Sequence, residues 1–159
     1  MTNQTTAQAT SELSLAITRI FDAPRSLVFA AWTDPKHMKH WWGPKGYTLP
    51  ECEMDVRVGG RYRFCMRSPD GVESRNEGIF RDVEKPSRIV MSGCWVDPDG
   101  KPRSPMMVTT IELEERNGGT LLTLTTTGFE SIESRESHRG GWASSIERLA
   151  EYLPTATRE

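Results

Sequence analysis

His37 and His40 stand three residues apart in a segment that reads as helix, a spacing that lets two imidazoles face one metal ion. A complete shell needs a third and a fourth ligand, and no cysteine or carboxylate at metal-site spacing supplies them. The pair therefore reads as solvated helix surface, and no metal or other cofactor is expected. The three cysteines, Cys52, Cys65 and Cys94, are odd in number, far apart and never in a CxxC pair, which fits neither a disulfide framework nor a zinc site. That usage, and an N-terminus without a charged start and apolar stretch, point to a reducing cytoplasm. Acid–base chemistry has three candidates: the phenol of Tyr62, the imidazole of His138, and Glu77, which turns inward if a bulge at its neighbour Gly78 shifts strand parity. Ser-His-Asp order, a phosphate-cradling glycine loop and a nucleophile elbow are all missing, so no residue is assigned as catalytic.

The apolar residues offer a different chemistry. Tyr62, Phe64 and Met66 share one face of a strand by parity, while Arg61, Arg63 and Arg67 share the other, so this strand has an aromatic interior and a basic exterior. Five methionines, Met54, Met66, Met91, Met106 and Met107, fall in expected strands, and their unbranched polarizable side chains suit a wall that adapts to varied apolar guests. Met106 and Met107 cannot both point inward on a regular strand. Trp41-Trp42 ahead of Gly43-Pro44, and Trp142 on the last helix, place large amphipathic rings at the end of one covering element and the start of another. Glu51, Glu53 and Asp55 alternate on one strand and belong on its solvent face, because a buried row of like charges is expensive.

The elements that must position these groups follow from periodicity and turn chemistry. Apolar alternation through Leu13, Leu15 and Ile17 predicts a first strand ending near Phe21. Asp22-Ala23-Pro24 supplies a capping carboxylate and a first-turn proline for a helix through Leu27, Val28, Ala31 and Trp32; Asp34-Pro35 stops it and caps a second short helix through Trp42. After Tyr47, turn signals such as Pro69-Asp70-Gly71 and Asn117-Gly118-Gly119 separate strands at about 48–56, 61–67, 75–83, 88–95, 106–115 and 120–127. Their short connections require an antiparallel meander. Trp142, Ile146, Leu149 and Leu153 form the stripe of an amphipathic C-terminal helix, ended by Pro154, which must cover the apolar face of the sheet. Gly140-Gly141 then fall where that helix nucleates, and such a pair calls for either close backbone approach or a pliable first turn.

The chain has 159 residues, a length suited to one domain, with residues 1–11 read as a disordered polar tail, 12–153 as the domain and 154–159 as a C-terminal tail. Lys and Arg total 20 against 22 Asp and Glu, so no basic field exists to hold nucleic acid, and no apolar run approaches the ~20 residues of a membrane span.

Three stretches, AITRIFDAPRSLVFAAWTDPKHMKHWWGP, MDVRVGGRYRFCM followed by PDG, and HRGGWASSIERLAEYL, together resemble the bacterial proteins similar to the C-terminal domain of the activator of heat-shock protein 90 ATPase, members of the START-like, helix-grip superfamily. The resemblance implies an α+β helix-grip fold: a curved seven-stranded antiparallel sheet, two short helices after the first strand, and a long C-terminal helix over the sheet enclosing a cavity. That superfamily includes lipid carriers, hormone receptors, polyketide cyclases and co-chaperone domains, which differ in cavity lining and surface. The expectation is binding of a small hydrophobic or aromatic molecule by a cavity lined with Trp42, Met54, Tyr62, Phe64, Met66, Met91, Met107, Trp142 and Ile146. A second reading is a co-chaperone-like module that engages a chaperone or other protein through an outer row of Arg61, Arg63 and Arg67. The third is a cyclase- or dehydratase-like enzyme using the same cavity. The eukaryotic activator carries a further N-terminal domain for its chaperone, which 11 polar residues do not replace.

Overall fold

Asn117 and Gly118, with φ of 52° and 84°, take the two left-handed positions of a tight hairpin turn, and this geometry joins two long strands in the computed structural model, which describes residues 13–156. The tail expected over residues 1–11 lies outside the described residues. The strands are β1 (Leu15–Phe21), β2 (Thr48–Met54), β3 (Arg61–Arg67), β4 (Glu73–Glu84), β5 (Arg88–Val96), β6 (Met107–Arg116) and β7 (Gly119–Thr127). They form one antiparallel seven-stranded sheet in the order β1-β7-β6-β5-β4-β3-β2, a meander to which β1 adds by pairing with β7. Between β1 and β2 lie α1 (Arg25–Thr33) and α2 (Pro35–Met38); α3 (Ile132–Tyr152) follows β7 and runs into a 3-10 turn at Leu153–Thr155. This is the α+β helix-grip class expected from the sequence.

α3 lays Ile146 and Leu149 on the sheet, with Leu153 following, and these join Leu122, Leu124, Ile111 and Phe80 in one core. Each fully buried aliphatic of this kind contributes about 1.5–3 kcal/mol relative to exposure. A second part of the core is aromatic: Trp32 from α1 packs at 4.7 Å from Trp41 and 5.7 Å from Trp42, both edge-on. Trp41 is fully buried and its Nε1–H donates to the Ala31 carbonyl at 3.0 Å, so it anchors α1 to the chain that follows.

Several local expectations are corrected. Asp22 does not cap α1, whose N-cap is Pro24 with no side-chain bond; Asp34 does cap α2, accepting from the Lys36 N–H at 2.9 Å. α2 ends at Met38, short of Trp42: the chain beyond it continues as turns, with i→i−3 bonds from His40 N–H to His37 O and from Trp41 N–H to Met38 O and a single i→i−4 bond from Trp42 N–H to Met38 O. His37 is not solvated: it is 4% exposed, and its Nδ1 lies 2.6 Å from the Tyr152 hydroxyl at the far end of α3. Glu77 does not turn inward, since β3–β4 pairing is regular from Arg61↔Ile79 to Arg67↔Glu73 and the irregularity of β4 falls after it, between Phe80 and Asp82. Its carboxylate sits 3.2 Å from Arg63 on the outer face.

Gly140-Gly141 lie well inside α3, which begins at Ile132, so they do not nucleate it. The close-approach reading also fails: a methyl at Gly140 would meet nothing within 4 Å, and one at Gly141 only Pro44 Cγ at 3.8 Å. Gly140→Ala is accordingly expected to raise stability by about 0.5–1 kcal/mol through reduced unfolded-state entropy, read as a higher thermal midpoint. A lower midpoint would contradict the open surroundings of that position.

Candidate functional site

Residues opposite one another in an antiparallel ladder share a face, and this rule builds the inner wall. Across the middle of the sheet, Tyr62 of β3 aligns with Gly78 of β4, Gly93 of β5 and Met107 of β6. The neighbouring row aligns Phe64, Asn76 and Trp95. The two glycines are the reason Tyr62 fits: a Cβ on Gly93 would lie 1.9 Å from the Tyr62 hydroxyl, and one on Gly78 would lie 2.6 Å from it. The ring thus lies across bare backbone and leaves space above it toward α3.

That space is a cavity of ≈ 370 Å³ between the sheet and α3. The structure brings Tyr62, Phe64 and Met66 of β3, Met91 of β5 and Met107 of β6 to its floor, and closes it with Trp42 and Trp142. The two indoles meet edge to face at 5.4 Å, and Trp42 also packs on Phe64 at 4.9 Å. Two expected lining residues lie elsewhere. Met54 faces inward opposite Tyr62 but packs into the core beyond the cavity wall, and Ile146 is 2% exposed beneath α3. Of the adjacent methionines, Met107 points in, and Met106, just ahead of β6, is 57% exposed.

Beside His138, already a candidate from the sequence, the polar lining holds Ser74, Asn76, Thr109, Thr126, Ser137 and Ser145, which sequence reasoning missed. Ladder parity from Tyr62 carried across β4, β6 and β7 would have found the four on strands. Thr109 and Thr126 bond each other at 3.1 Å, and the Ser145 hydroxyl donates to the Gly141 carbonyl, so these groups are satisfied within the wall. The Asn76 amide and the Tyr62 hydroxyl make no hydrogen bond to any described residue. Burial holds the Tyr62 phenol well above its usual titration range, so it stays a neutral donor. His138 is engaged at both nitrogens: Trp95 Nε1–H donates to Nε2 at 2.9 Å, and Nδ1–H donates to the Ser134 carbonyl at 2.8 Å. Neither nitrogen is left to take a substrate proton.

No Asp, Glu, Lys or Arg lines the cavity among the described residues. What the wall offers a guest is dispersion, aromatic packing and neutral hydrogen bonds. No group of three or more His, Cys, Asp and Glu that could hold a metal is present among the described residues. Cys52 lies 4.0 Å from Met38 Sδ, and burial pushes its thiol up to about 12, far from a reactive thiolate.

The 43–47 loop contributes Gly43, Pro44 and Tyr47 to the cavity wall. Arg148 of α3 holds it. Its Nη1 donates to the carbonyls of Gly43, Pro44 and Tyr47 at 3.0–3.2 Å and to that of Trp42 at 3.4 Å, while Nη2 reaches His40 O at 3.3 Å. The Lys45 N–H adds a bond to the Ser144 hydroxyl at 2.8 Å. On the outer face, Arg63 and Arg67 of the expected interaction row are compensated by Glu51, Glu77 and Glu73.

The family model described as activator of Hsp90 ATPase homolog 1-like protein matches residues 22–154. Among solved structures, that of a protein from Arthrobacter aurescens is 29% identical with a TM-score of 0.78, over 93% of this chain and 90% of that one. One from Nitrosomonas europaea is 28% identical with a TM-score of 0.77, over 91% and 96%. The AHSA1 protein of Silicibacter pomeroyi is 25% identical with a TM-score of 0.79, over 89% and 98%. No curated protein matches the chain. No helix among the described residues is long and apolar enough to cross a membrane.

Proposed function

The chain belongs to the activator of Hsp90 ATPase homolog 1-like family, and on that footing we propose that it binds a small apolar or aromatic molecule in the cavity between its sheet and α3. One observation carries the reading: a ≈ 370 Å³ space whose wall is aromatic and thioether-rich and bears no charged side chain. The volume falls at the lower end of the range of small-molecule sites. Burying about 200 Å² of apolar ligand surface contributes roughly 5 kcal/mol before association costs, enough for selective binding without a charged anchor. Asn76 and Tyr62 orient a guest through one neutral polar group. The reading of an outer arginine row as a protein-docking surface has less support, since Arg63 and Arg67 are held in ion pairs within the sheet. Acid–base turnover lacks its carboxylate, because Glu77 faces away from the cavity.

The test is amide chemical-shift perturbation with indole, 2-naphthol, 6-phenylhexan-1-ol and dodecan-1-ol. Saturable shifts are expected in β3, β5 and β6. If none of the four moves those strands, the reading is wrong. Phe64→Asp sets a carboxylate into the wall and is expected to weaken binding at least tenfold in a protein that still folds, whereas Tyr62→Phe removes only a hydroxyl and is expected to lower affinity for the naphthol and leave dodecan-1-ol nearly unaffected.

A further inference from the structure

A second pocket of ≈ 250 Å³ abuts the cavity, and the two spaces share Ser74, Trp95, Met107 and His138 in their walls. Its character is different, with Arg75, Arg103, Ser104, Glu130 and Ser134 around it. What stands between them is the contact of two rings, one from β5 and one from α3, which span the gap from sheet to helix. The bond from Trp95 Nε1–H to His138 Nε2 closes the gap at 2.9 Å. Each ring is braced from behind. The His138 Nδ1–H is committed to Ser134 O, and its ring packs on Phe129 at 5.0 Å. The Trp95 backbone is held on both sides, its N–H donating to the Ser104 hydroxyl and its carbonyl accepting from the Arg103 N–H. The remaining shared side chains, Ser74 and Met107, do not bridge from sheet to helix.

We propose that the Trp95–His138 pair is the end wall that sets the length of molecule the cavity takes, and that opening it admits the polar end of a longer amphiphile into the second pocket. The inference rests on the apolar-cavity reading above and goes further by naming the residues that decide ligand length. A guest whose aromatic end packs against Trp42 and Phe64 and whose chain outgrows the cavity must displace one ring and break this bond. A polar terminus is what the second pocket can then receive, because Arg75, Arg103 and Glu130 stand around it while no charged side chain lines the main cavity.

The test uses 3-phenylpropan-1-ol, 6-phenylhexan-1-ol and 9-phenylnonan-1-ol, titrated by calorimetry into the parent, His138→Ala, His138→Gln and Trp95→Phe, with folding checked by circular dichroism. In the parent, affinity is expected to rise from the C3 to the C6 alcohol and then to stop rising or fall at C9. His138→Ala is expected to raise the C9-to-C3 affinity ratio at least tenfold, and Trp95→Phe, which keeps a ring and loses the donor, to raise it by a smaller factor. His138→Gln restores an acceptor and is expected to return the ratio toward the parent's. An unchanged ratio in folded His138→Ala overturns the proposal, as does a parent whose affinity keeps climbing through C9. If His138→Ala does not fold, Trp95→Phe decides by the same ratio. Binding of the C3 alcohol with an unmoved ratio leaves the cavity reading standing while the end wall fails; absence of binding by all three alcohols in every variant defeats both.

Discussion

Gly93→Ala is expected to destabilise the protein by about 3 kcal/mol, at the upper end of ordinary overpacking, and to disturb the cavity floor at the same time. The added methyl has nowhere to go. Its position is 1.9 Å from the Tyr62 hydroxyl, 2.9 Å from Tyr62 Cζ and 2.6 Å from the Glu77 carbonyl, so both a ring and a backbone strand must shift. In a chain of this size the thermal midpoint should fall by roughly 6–12 °C. The cause can be isolated by adding Tyr62→Phe: with the hydroxyl gone, the penalty of Gly93→Ala should shrink without vanishing, because the contact with Glu77 O remains. Equal penalties in the two backgrounds would mean that Tyr62 does not lie across Gly93.

Arg148→Ala is the second change of large expected effect. The guanidinium donates to five carbonyls of the 40–47 segment, and no other side chain among the described residues gathers so many. Burial already pulls its pKa below the usual arginine value, a sign that its environment is partly dry. Removing it leaves those carbonyls short of donors, for an expected loss of about 2–3 kcal/mol. The 43–47 loop should then exchange its amide hydrogens faster at Tyr47 and Lys45, and a guest of the proposed cavity site should enter and leave faster. Arg148→Lys should fall between parent and alanine variant, since one ammonium cannot reach carbonyls spread over this arc. Unchanged protection of the loop in Arg148→Ala would show that Arg148 does not hold it.

The strands were the most legible part of this chain because their ends are marked by turn chemistry and their faces by a period of two. β3 runs from Arg61 to Arg67 as expected, and the inward set of Tyr62, Phe64 and Met66 follows from parity alone. Parity assigns a face and says nothing about position along it, so Met54 has the expected orientation while packing outside the cavity wall. Long-range polar pairs were opaque for a different reason. His37 is buried because Tyr152 reaches it from 115 residues away, and a four-residue helix carries too little periodicity to reveal a buried side. Arg148 lies off the apolar stripe of α3, where a solvated role is the ordinary expectation; only the folded loop supplies its acceptors. Gly78 makes room for Tyr62 and does not bulge the strand, so its neighbour Glu77 keeps the outward parity of β4. Gly140-Gly141 looked like the start of a helix because the apolar stripe begins at Trp142, yet Ser131 caps α3 earlier by accepting from the Ser134 N–H.

The central claim, that the space between sheet and α3 takes an apolar guest, is tested most directly by isotope-filtered NOE spectroscopy on the protein with selectively labelled methionine methyls and unlabelled 6-phenylhexan-1-ol. The account predicts NOEs from the phenyl protons to the methyls of Met66, Met91 and Met107, and none to the exposed Met106. NOEs confined to Met106 or to outer-face protons, or a saturating ligand with no NOE to the three inner methyls, would contradict it.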